Sequence, residues 1–61
     1  MNEELISQWN EIKDQLSQAE ENLIKNAKGN KAAGLRLRKQ IKNLQSLLKD
    51  LKRKTLEQAR S

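Results

Sequence analysis

The side chains with chemical reach in this 61-residue chain are Lys and Arg, 13 of them against 8 Asp and Glu, for a formal net charge of +5. His and Cys are absent, as are Tyr, Phe and Pro. That excludes a zinc finger, a disulfide framework, a Cys nucleophile and an imidazole base. Ser7, Ser17, Ser46 and Thr55 therefore have no imidazole to activate them, and a small helical chain offers no pocket for a Ser-Lys pair. Glu3-Glu4 and Glu20-Glu21 are adjacent pairs whose members point to different helix faces, so neither is a carboxylate dyad. The carboxylates are better read as ionised surface groups than as ligands of a weakly held divalent ion. Neither catalysis nor a metal or cofactor is expected.

The bases are not spread evenly. Residues 1–27 hold two bases against six acids, a net −4, and residues 28–61 hold eleven bases against Asp50 and Glu57, a net +9. Such a split suggests an acidic half that keeps the protein soluble and a basic half for a polyanion. Between Lys28 and Lys49 there is no acid at all. On a helix, Lys31, Arg38, Lys42, Lys49, Arg53 and Arg60, stepping 7, 4, 7, 4, 7, fall within about 60° of one another at 100° per residue. They form a cationic ridge about 43 Å long at 1.5 Å per residue. Lys28 and Lys39 lie beside it, and Arg36 and Lys54 flank the apolar seam. A solvated outer face is the ordinary meaning of a charge run, but that reading predicts interspersed acids at i,i+4. Uncompensated like charge repels itself unless something negative binds.

Two helices must position this ridge. Gly29 suits a left-handed residue that ends one helix, and Asn30 is a good N-cap for the next. Elsewhere helix formers dominate. The first half carries Leu5, Trp9, Ile12, Leu16, Ala19 and Leu23, stepping 4, 3, 4, 3, 4. The second carries Leu37, Ile41, Leu44, Leu48 and Leu51, stepping 4, 3, 4, 3. These are coiled-coil-like seams, with Trp9 expected in core packing.

The expected fold is all-α: an acidic helix over about 2–27, a turn at 28–30 and a basic helix over about 31–60, closed as one antiparallel hairpin domain. One continuous helix is the competing architecture, since Gly29 costs only about 1 kcal/mol inside a helix. A fold this small buries only about 60% of its chain surface and needs a staple or a partner. The hairpin is expected to pair as a four-helix-bundle homodimer, or a higher homo-oligomer, through Leu5, Trp9, Ile12, Leu16, Leu44, Leu48 and Leu51. No apolar run approaches the roughly 20 residues of a membrane span. The opening Met1-Asn2-Glu3-Glu4 is acidic where a signal peptide is basic. A small soluble cytoplasmic protein is expected. The basic helix is amphipathic, but its apolar face lacks Trp and Phe and has a seam to meet, so no membrane partner is expected.

A row of Lys and Arg fits backbone phosphates, which position without specifying sequence. Stacking on single strands needs exposed aromatics, and Trp9 is the only aromatic. Duplex DNA bound nonspecifically through Lys28, Lys31, Arg36, Arg38, Lys39, Lys42, Lys49 and Arg53 is therefore the leading expectation. Backbone N–H groups at the start of the basic helix, with Lys28 and Lys31, could hold one phosphate, or could simply be a capped turn. The alternative is a coiled-coil adaptor whose basic helix binds an acidic protein partner. RNA is a further possibility, because phosphate contacts discriminate it poorly from DNA.

The stretch Lys28-Gly29-Asn30-Lys31-Ala32-Ala33-Gly34-Leu35-Arg36-Leu37-Arg38-Lys39 resembles the bacterial linker-histone-like family, the chlamydial-type histone-like proteins and their short relatives. The likeness runs on through Leu47-Leu48-Lys49 and Lys52-Arg53-Lys54-Thr55-Leu56-Glu57, over roughly residues 20–60. It implies a nucleoid-associated protein that binds and compacts DNA, with contacts from Lys28, Lys31, Arg36, Arg38 and Lys39. The long Lys- and Ala-rich tail of the chlamydial-type proteins has no counterpart up to Arg60-Ser61. The resemblance is thus to a short form, in which bridging by a multivalent oligomer replaces neutralisation by a tail.

Overall fold

The computed structural model describes residues 2–60, which form two helices, α1 (Glu3–Ala27) and α2 (Lys31–Arg60). No strand occurs among the described residues. The helices pack side by side as a hairpin measuring 48 × 16 × 11 Å.

Side chains and backbone geometry define both ends of the turn. Asn2 caps α1, its Oδ1 accepting from the N–H groups of Glu4 (3.0 Å) and Leu5 (3.3 Å). Glu3 and Glu4 in that first turn face the positive end of the helix dipole. At the other end the Gly29 N–H donates to Asn26 O (2.9 Å) and the Asn30 N–H to Lys25 O (3.1 Å). This is the paired closure of a Schellman turn, and Gly29 supplies its positive φ of 104°. Asn30 then caps α2 by accepting from the Ala33 N–H at 3.1 Å.

The seam differs in register from the apolar pattern. Its buried apolar residues are Ile12, Ala19, Ala33 and Leu44, with Leu37, Leu47 and Leu51 packed against them. On α1 the inward rows are Leu5, Ile12 and Ala19 together with Gln8, Gln15 and Asn22, each buried or half-buried. Trp9, Leu16 and Leu23, expected inside, stand 48%, 49% and 53% exposed. Ile41 and Leu48 likewise lie outward, while Gln40 and Leu47 turn in. The polar residues turn inward because each named donor finds a partner. Gln8 Nε2 donates to Leu47 O (3.2 Å) and to Asp50 Oδ2 (3.1 Å), and Asn22 Nδ2 donates to Gln40 Oε1 (2.8 Å). Satisfied amides cost little to cover, so the hairpin can turn polar groups inward.

Gly34 lets the helices close near the turn. A Cβ there would stand 2.5 Å from Asn26 Nδ2. That amide occupies the space instead and donates to Asn30 O at 3.2 Å.

Candidate nucleic-acid interface

α2 presents the basic residues in a straight row because its opposite face is held against α1. Ala33, Leu37, Leu44 and Leu51 face α1. At 100° per residue Lys31, Arg38, Lys42, Lys49, Arg53 and Arg60 point on average about 155° away from them, with Arg38 nearest one edge at about 125°. All six are exposed, as are Lys28, Arg36 and Lys39. α1 therefore acts as a brace that holds one face of α2 and leaves the other to solvent.

The ridge is not electrostatically uniform. Among the described residues Lys28, Lys31, Arg38, Lys39, Lys42 and Lys49 take part in no ion pair. Arg36 is unpaired too, but its Nε donates to Asn22 Oδ1 at 3.3 Å, which draws it toward the seam. Arg53 differs: its guanidinium meets Asp50 at 2.6 Å and Glu57 at 4.0 Å. The i,i+3 and i,i+4 spacings of Asp50, Arg53 and Glu57 carried that signal in the sequence. The unneutralised positive field thus runs from Lys28 to Lys49, the stretch that holds no acid.

Lys54 faces the opposite way. Its ammonium bonds Glu4 (3.0 Å), Asp50 (3.3 Å) and Gln8 Oε1 (2.8 Å). The hydrogen bond from Gln8, then contact with Lys54, holds the Asp50 carboxyl below its ordinary value, opposed by partial burial. The hydrogen bond to Glu4, supported by Asp50, raises Lys54 above its own. This cluster, with the bond from Asn2 Nδ2 to Gln58 Oε1 (2.6 Å), ties together the open end of the hairpin. It is a structural lock, not part of the outward row.

The residues expected at an oligomer interface divide into two groups. Leu5, Ile12, Leu44 and Leu51 are used inside the hairpin, whereas Trp9, Leu16 and Leu48 stand on its open side. A depression lined by Ser46, Lys49, Asp50, Lys52, Arg53 and Leu56 lies on the outer surface of α2. No group of three or more metal-ligating side chains gathers among the described residues. No helix there is long and apolar enough to cross a membrane.

Residues 6–61 match the family model for Hc1, the histone H1-like protein Hc1. The chain belongs to the Hc1 family. The match takes in most of α1 as well as the Lys28–Lys39 motif, so it reaches beyond residues 20–60. Hc1 membership makes this a histone-like, DNA-binding protein of the nucleoid, in a family that is not one of enzymes. No curated protein and no solved structure gives a significant match to the chain.

Proposed function

We propose that the protein binds duplex DNA largely without regard to sequence, through phosphate contacts along α2, and compacts or bridges it as a homodimer. The observation that carries this reading is the unpaired ridge of Lys31, Arg38, Lys42 and Lys49, set opposite the seam and flanked by Lys28 and Lys39. A straight α-helix presents these charges along one line, and a phosphate backbone is a line of charge of opposite sign. Arg53 contributes less than the others, because Asp50 and Glu57 already share its guanidinium. The amides and hydroxyls near the ridge are few, which agrees with positioning on the backbone more than reading of base edges. The acidic surface of α1 orients the molecule, keeping its basic side toward the polyanion.

The test is a titration of a random-sequence duplex across a salt series. With about five phosphates engaged, log Kd against log salt should change with a slope of magnitude about 4 to 5. Arg38→Glu with Lys42→Glu should abolish measurable binding while the helical circular dichroism stays unchanged. Absence of binding by the unaltered protein at about 50 mM salt would sink the proposal. Saturable, salt-insensitive binding of an acidic protein would favour the adaptor reading, and equal affinity for duplex RNA would widen the ligand class.

A further inference from the structure

The hairpin has two unlike sides. On one, Gln8, Asn22 and Lys54 close the seam with cross-helix hydrogen bonds and ion pairs. On the other, Trp9, Leu16 and Leu23 of α1 and Ile41 and Leu48 of α2 are all between 43% and 53% exposed. Members of each row are seven residues apart, two helical turns, so each row is nearly straight. Each stands beside the buried row of its own helix, four residues on from Leu5, Ile12 and Ala19 in one case and from Leu37 and Leu44 in the other. The same right-handed offset, applied to two helices running in opposite directions, carries both rows to the same side. They form one apolar strip continuous with the core.

Its occupant can be argued from area and charge. The accessible surface is 5062 Å² for 7.1 kDa, whereas a compact monomer of that mass exposes about 4,100 Å². The excess of about 1,000 Å² is close to the roughly 800 Å² that each partner buries in a standard interface. We infer that a second copy of this chain covers the strip about a two-fold axis parallel to the helices, so that the two basic ridges face in opposite directions and the dimer joins two duplexes. This rests on the DNA-binding homodimer proposed above and decides between one duplex and two.

Charge selects the axis. Outside the apolar strip, Lys13 and Glu20 edge α1, and Arg38, Gln45 and Lys52 edge α2. The pairings Glu4–Lys54, Gln8–Asp50 and Asn22–Arg36 give the level of each residue across the hairpin. With the axis parallel to the helices, α1 lies over the partner's α2. Glu20 then comes level with the partner's Arg38, and Lys13 with the partner's Gln45. With the axis across the helices, α2 lies over α2, Arg38 meets the partner's Lys52, and two halves of net +9 are stacked on each other. Like charges at that range repel, and the first arrangement avoids it. In it the ridges project from opposite sides of a bundle about 20 Å across, too far around for one straight duplex to touch both.

The chain has no Cys, so engineered ones report directly. Lys13→Cys with Gln45→Cys should give a covalent dimer on mild oxidation, while Gln45→Cys alone should remain monomeric on a denaturing gel. Cross-linking by the single variant places α2 on α2 and overturns the arrangement, as does failure of the double variant to cross-link. For function, a duplex fixed to beads and saturated with the protein should retain a second, labelled duplex. Leu16→Asp with Leu48→Asp should lose at least about tenfold of that capture with its helicity unchanged. Binding to the fixed duplex without capture of the second overturns bridging and leaves DNA binding standing. No binding to the fixed duplex overturns both.

Discussion

Gly29 and Gly34 lie five residues apart and serve opposite purposes. Gly29 holds a φ of 104° with nothing within 4 Å of where a Cβ would stand. Its requirement is conformational, so Gly29→Ala should lower stability by about 1–2 kcal/mol with no steric clash. Gly34 is helical, and the atoms nearest its Cβ would be those of the Asn26 amide. Gly34→Ala gains about 1 kcal/mol of helix propensity and displaces one side-chain hydrogen bond of similar worth. Its stability should fall within about 1 kcal/mol of the parent. Urea denaturation of both variants checks this, and equal losses would contradict the separate roles. The capping duties of Gly29 and Asn30 were legible in the sequence because they depend on backbone conformation within a few residues. The contact of Asn26 with Gly34 was not, since it requires the two helices to be placed first.

At the scale of the elements, α1 holds α2 through a half-polar seam, and its open end depends on ionisation. Asp50 is lowered chiefly by the Gln8 hydrogen bond, so its contribution is present above the ordinary carboxylate value and fades as pH falls through the lowered one. Lys54 is raised chiefly by the Glu4 hydrogen bond, so its contribution is present below the ordinary Lys value and fades as pH rises through the raised one. Urea midpoints should therefore form a plateau around neutrality that declines at both extremes. Lys54→Met should flatten the alkaline decline and lessen the acid one; an unchanged profile would show that the lock contributes nothing. The spacing of the apolar residues allowed two neighbouring registers on α1, one led by Trp9, Leu16 and Leu23 and one by Gln8, Gln15 and Asn22 alongside the shared Leu5, Ile12 and Ala19. Hydropathy favours the first for a hairpin alone. The polar row turns inward because Leu47 O, Asp50 and Gln40 lie opposite it, and pairing of that kind is invisible to single-helix periodicity.

For the molecule as a whole, the consequence of that register is a hairpin that is polar and locked on one side and apolar on the other. A second copy on the open side would cover Trp9, the only aromatic. Its fluorescence should shift to shorter wavelength as protein concentration rises through the dimerisation range, and Leu16→Asp should abolish the shift. Emission independent of concentration, together with a monomeric sedimentation profile, would contradict self-association. The same view explains the charge distribution. The net −4 of residues 1–27 and +9 of residues 28–61 lie on separate helices, so one copy can set its acidic helix beside the basic helix of another.

Composition and spacing alone pointed to the chemistry this chain offers. The lack of His and Cys turned the reading away from catalysis by those side chains, and an acid-free run of bases turned it toward phosphate contact. The single aromatic, Trp9, was expected in the core and stands 48% exposed instead. Helical spacing also determined that these bases share a line, because 3.6 residues per turn is a local property of the backbone. Tertiary structure alone decided which apolar residues became core, which bases stayed free and which side of the hairpin remained open. Those outcomes depend on the groups that meet across the seam: Gln8 with Asp50, Lys54 with Glu4, Arg36 with Asn22. Each partner lies at least 14 residues away along the chain, beyond the reach of any local pattern.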